Sequence, residues 1–190
     1  MRAPVLLACL LVFSAEAGGK KRHKAPPPPP PVLAAPSEKL GEAMGGKVAQ
    51  MLIAATKFEI ARTSYTQGIR PAADKAIGSD FQRESEWKEL PVAEVARFKA
   101  LVYDEKSFRL TAKIGGCNFE PDVVFQLTSA SLDTQQMLVS FKCNQVLFFT
   151  VKTGGRSVPG MALDAKPSRK KMLELVKALL PQDADLRALN

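Results

Sequence analysis

Scarcities bound what this 190-residue chain can do. It has one histidine, His23, which lies in a basic, proline-rich stretch, so everything from residue 24 onward has none. That excludes Ser-His-Asp and Cys-His hydrolysis, His-Glu-x-x-His zinc chemistry and a histidine general base from the remainder. Its three cysteines, Cys9, Cys117 and Cys143, contain no Cys-x-x-Cys pair. They are too few for a zinc cluster, and nothing beside them lowers a thiol pKa. No metal or cofactor is expected. Aromatic residues are also sparse at 7%, and Trp87, Tyr65 and Tyr103 are scattered. Such spacing does not build a base-stacking platform, and no nucleic-acid partner is expected. After the N-terminal apolar run no stretch approaches the ~18–20 apolar residues of a membrane span.

The N-terminus carries the clearest signal. Arg2 precedes an apolar run from Ala3 to Phe13, and Ala15-Glu16-Ala17 gives a small-x-small cleavage pattern. Residues 1–17 therefore read as a cleavable secretory signal, with a run too short to anchor the chain. Leu6-Leu7-Ala8-Cys9 resembles a lipoprotein box, but the apolar run continues through Leu10 to Phe13. A lipidated cysteine belongs at the end of that run, so lipid anchoring at Cys9 is not expected. Export to the periplasm or the exterior is.

Residues 18–36 form a distinct tail. Lys20, Lys21, Arg22 and Lys24 account for half of the net charge of +8, and Pro26 to Pro31 follow without interruption. Six prolines form a polyproline II rod about 19 Å long at ~3.1 Å per residue. The four bases are candidates for contact with an anionic surface, such as phospholipid or an envelope polymer, while the rod acts as a spacer. Residues 37–190, roughly 150 residues, suit one domain with a real core.

Within that domain, Leu40, Met44, Val48, Met51, Leu52 and Ala55 follow Ser37 at helical spacing, weakened by Gly41, Gly45 and Gly46. A strand is expected near 56–63 and an irregular connection over 66–84. Pro91 starts a helix over 91–103. Strands then dominate, over Phe108–Ile114, Asp122–Thr128, Gln136–Cys143, Gln145–Lys152 and 156–164, with a hairpin signal at Gly154-Gly155. Lys166 to Leu180 forms the last helix, ended by Pro181. The fold class is α+β: an antiparallel meander of about four to six strands with helices on one face. Loss of Cys9 with the signal leaves two cysteines, which in an exported domain predicts one disulfide, Cys117–Cys143. Val139, Phe141 and Cys143 are expected on one strand face.

Several motifs are incomplete. Gly41 to Lys47 matches a phosphate-loop spacing, but Val48 replaces its Ser or Thr and no strand precedes it. Lys152-Thr153-Gly154 and Ser85-Glu86-Trp87-Lys88 match elements of a penicillin-binding site, as does Ser168 to Lys171 by chance, and the Ser-Asp-Asn element is missing. Glu120 and Asp122 beside Cys117 are carboxylates of the type that runs glycoside hydrolysis, but the sequence does not pair them, and the simpler reading is that they flank a strand start in solvent.

Cys117-Asn118-Phe119-Glu120-Pro121, then Phe141-Lys142-Cys143-Asn144-Gln145-Val146 and a terminal Leu180-Pro181-Gln182-Asp183 are together similar to a group of small exported bacterial proteins of unknown function. Those proteins carry a Cys-x3-Pro element and a second strand cysteine. The resemblance covers about residues 55–187 and implies a paired-cysteine α+β domain. The expected function is a non-enzymatic interaction or envelope-associated domain with an envelope protein or anionic surface as partner. The alternatives are a carboxylate-based hydrolase of envelope polymer and a secreted inhibitor.

Overall fold

The computed structural model describes residues 35–69, 71–77, 80–112, 114–130, 134–152 and 157–190. The expected signal at 1–17 lies outside them, as do Lys20, Lys21, Arg22, Lys24 and the proline rod. Two helices open the described chain, α1 (Glu38–Met44) and α2 (Gly46–Ala54). The sequence pattern predicts one helix here. Gly45 divides it, with φ of 88° and ψ of 127°, a conformation that only glycine adopts without strain. Ser37 Oγ caps α1 by accepting from the Leu40 N–H.

A strand β1 (Lys57–Tyr65) follows, then three short strands, β2 (Ala76–Ile77), β3 (Phe81–Arg83) and β4 (Lys88–Glu89). The helix α3 (Val92–Val102) begins one residue beyond Pro91. A meander then runs through β5 (Val123–Thr128), β6 (Thr134–Ser140), β7 (Gln145–Val151) and β8 (Ser157–Asp164). The helices α4 (Arg169–Leu179) and α5 (Ala184–Ala188) close the chain. All strand pairings are antiparallel, in the order β2-β3-β1-β5-β6-β7-β8, with β4 also on β1.

The class is α+β, with eight strands where four to six were expected. The excess comes from β2, β3 and β4. Pairs or triplets of residues are too short to show a two-residue period in the polar stretch that holds Gly68, Pro71 and Gly78. Among the described residues of 108–114 the expected strand does not form: Arg109 alone meets a strand partner, Asp164 at the end of β8, so no ladder propagates. The strand ending at Ser140 corrects a further expectation. Phe141 to Asn144 form the turn between β6 and β7, so Val139 and Cys143 do not share a strand face. Asn144 takes φ of 54° there.

The sheet is apolar on both faces. One face packs on the helices: Phe58, Phe125 and Phe148 meet Leu52 of α2, Phe98 of α3 and Val176 of α4 in one continuous core. The Phe98 and Phe125 rings are 4.7 Å apart. Tyr103, at the end of α3, donates to Leu52 O at 2.6 Å, and burial pushes its pKa up to about 12. The opposite face carries a second core of Ala61, Val124, Leu138 and Phe149, covered by Ile77 and Phe81 from β2 and β3. The helices thus cover one face, as expected, and a hairpin covers part of the other. Burial on both faces explains why β6 reads as a nearly continuous buried run rather than an alternation.

Candidate functional site

Two of the clefts gather polar side chains on the sheet itself. The first lies at the disulfide end of the sheet. Cys117 and Cys143 are bonded, with Cα atoms 5.7 Å apart, which ties the loop before β5 to the β6–β7 turn. Beside this tie, a cleft of about 320 Å³ is lined by Arg62, Ser64 and Tyr65 of β1 and by Glu120, Asp122 and Lys142. The structure brings Glu120 and Asp122 into one cleft, a pairing the sequence does not reveal, and Asp122 is half-buried rather than in open solvent.

Their environments differ. Glu120 binds Lys142 Nζ at 2.9 Å and accepts from Asn118 Nδ2 at 3.0 Å. The Lys142 hydrogen bond, with its charge, holds the Glu120 carboxyl below its ordinary range. Asp122 is half-buried and its Oδ2 accepts from the Phe141 N–H at 2.8 Å. Burial raises its pKa, and it outweighs the opposing effects of that N–H, Arg62 and Arg169.

Arg62 was missed in the sequence because an arginine within a strand carries no motif. Its Nη1 donates to Asp122 O at 2.6 Å, and its Nε pairs with Asp183 Oδ2 at 2.9 Å. Asp183 also caps α5, with Oδ1 accepting from the Leu186 N–H at 2.9 Å. One cation thus holds β1, the start of β5 and the C-terminal helix together.

The incomplete motifs resolve into structural roles. Met44 and Val48 of the phosphate-loop lookalike are buried on two helices. Ser85 Oγ accepts from Arg62 N, and Lys88 Nζ donates to Leu179 O at 2.7 Å. Thr153 and Gly154 lie outside the described residues. Among the described residues no cluster of three or more His, Cys, Asp and Glu side chains is placed to hold a metal ion. No helix among them is long and apolar enough to cross a membrane.

The second cleft, of about 220 Å³, lies on the sheet face away from the helices. Gln126 and Gln136 line it, and they belong to a polar row across three strands. Glu59 faces Gln126, which faces Gln136. Gln136 Nε2 donates to Gln126 Oε1 at 3.1 Å, and Gln126 Nε2 donates to Glu59 Oε2 at 3.4 Å. Lys57 Nζ pairs with Glu59 Oε1 at 2.8 Å. Trp87, Arg83, Ile77 and the Ala73–Lys75 turn complete the lining. The sequence hid this row because its members, at positions 59, 126 and 136, meet only through strand register.

No family model, curated protein or solved structure matches the chain.

Proposed function

We propose that this chain is an exported, envelope-associated binding domain that works without catalysis. The observation that carries the reading is the use made of charge at the disulfide end. Glu120 is occupied by Lys142 and Asn118, Asp122 by the Phe141 amide, and Arg62 by Asp183 and the Asp122 carbonyl. Groups held this way fix a rigid surface. The Cys117–Cys143 bond supports export, since such bonds persist in oxidising compartments. The basic tail at residues 20–24 would add salt-sensitive attraction to an anionic envelope, and the proline rod would hold the domain off it.

Crosslinking capture from a native bacterial envelope tests this. The chain from Gly18 is compared with one lacking residues 18–36. A specific macromolecule held by both supports a binding domain, and loss of capture with the shorter chain makes the tail the anchor. Capture by neither overturns the reading.

One observation favours a second reading, a carboxylate-based hydrolase. Glu120 and Asp122 line the same cleft, and their pKa values are driven in opposite directions, the arrangement that separates an acid from a base. Turnover of an envelope polysaccharide by the purified protein, abolished in Asp122→Asn, would replace the binding reading with this one.

A further inference from the structure

A cleft of about 750 Å³, larger than either sheet cleft and sharing no lining residue with them, lies where α1 meets the 3₁₀ turn Glu105–Ser107 and the segment after it. Phe108, Leu110 and Ala112 supply its apolar walls. Its charges are largely spent. Glu105 binds Lys39 Nζ at 2.9 Å and accepts from Ser37 Oγ at 3.0 Å. Asp104 caps the turn by accepting from the Lys106 N–H at 3.0 Å, and Arg109 lies 3.8 Å from Asp164. A lining with matched charges and apolar walls favours a neutral, apolar occupant over an ion.

The main chain in this cleft is less well served. The Arg109 N–H donates to Asp164 O at 2.9 Å, and the Ala112 N–H donates to Arg109 O at 3.3 Å. Between them, Leu110 and Thr111 make no main-chain hydrogen bond among the described residues. Such groups are met by water or by an extended chain laid alongside them. The apolar alternation of Phe108, Leu110 and Ala112 suits a strand that has no partner here beyond Arg109.

We infer that Val32, Leu33 and Ala34 of this same chain occupy the cleft as a strap. The described chain starts at Ala35, and Ser37 and Lys39 are both tied to Glu105 in the cleft lining, so the chain leaves the fold beside the cleft. Ala34 stands three residues before Ser37, a span of at most about 10 Å. The three residues are neutral and apolar, which matches the lining. They carry N–H groups to pair with Leu110 and Thr111, which the prolines at 26–31 lack. A short tether also gives the strap a high effective concentration at the cleft. Seated there, it fixes the direction in which the proline rod leaves the domain. The inference concerns a different place from the disulfide-end cleft and holds whatever the basic residues of the tail contact.

Amide hydrogen exchange of the purified chain from Gly18, resolved by residue with NMR, tests this. The comparison is the same chain carrying Val32→Ser and Leu33→Ser, two changes outside the described residues. At least one of the Leu110 and Thr111 amides is expected to exchange about tenfold or more slowly in the parent than in the variant. At least one of the Leu33 and Ala34 amides is expected to be slowed with it. The protection should survive dilution by about a hundredfold, since the occupant travels with the cleft. Equal exchange at Leu110 and Thr111 in the two chains overturns the proposal. So does unprotected exchange at both Leu33 and Ala34. Protection that falls on dilution overturns it as well, because the strap then comes from a second copy.

Discussion

Asp122 and Arg62 show how single residues at the disulfide end trade charge for position. Burial raises the Asp122 pKa above its ordinary value of 3.8, so the folded state holds that proton more tightly than the unfolded chain. Stability from this group is therefore present at low pH and is lost as pH rises through the raised folded value. Asp122→Asn keeps an acceptor for the Phe141 amide and removes the buried charge. Denaturant unfolding at neutral pH should find the variant at least as stable as the parent, with the difference vanishing below about pH 4. Arg62 acts differently. Its pair with Asp183 has both side chains 20% exposed, so removing one partner leaves a poorly solvated charge. Asp183→Ala also removes the α5 cap. It should cost about 2–3 kcal/mol in urea unfolding. Hydrogen exchange should rise first in α5, where the cap and the ion pair act together.

At the scale of elements, two backbone positions decide where helices and strands bend. Gly45 lets α1 turn into α2, and Gly45→Ala should cost roughly 1–2 kcal/mol through its positive φ alone. Gly160 sits near the irregular register between β7 and β8, between Leu147 and Phe149. A Cβ there would lie 2.9 Å from Phe148 O, a backbone atom that cannot rotate away. Gly160→Ala should cost about 1–3 kcal/mol by thermal unfolding and should loosen the edge strand. The β2–β3 hairpin depends on its own apolar residues. Phe81 contacts the Phe119 and Phe149 rings at 5.9 and 6.2 Å. Phe81→Ala should cost about 3–5 kcal/mol and perturb Trp87 fluorescence, because both residues belong to the second core. Elements differ in how far the sequence reveals them. The helix at 92–102 and the strands from 123 onward have long apolar patterns and are legible. The hairpin has no length from which a period could be read.

For the molecule as a whole, the disulfide is the main covalent constraint. It closes a loop across 26 residues and should contribute roughly 3.5 kcal/mol by restricting the unfolded chain. Urea midpoints with and without reductant measure this. A shift near zero would mean that the β5–β6 hairpin already holds the loop closed in the unfolded state. The α+β class and the antiparallel meander from β5 to β8 follow from apolar periods and turn residues, and the pairing of Cys117 with Cys143 follows from a cysteine count. Apolar periods and turn residues depend on neighbours within a few residues, and a count depends on composition alone, so the sequence by itself determined these features. The second core, the Arg62–Asp183 clamp and the Glu59–Gln126–Gln136 row depend on which strands lie side by side and in which register. A shift of one residue would turn Gln126 and Gln136 to the helix face and dissolve the row. Only the tertiary structure decided that register, because it is set by packing both sheet faces at once.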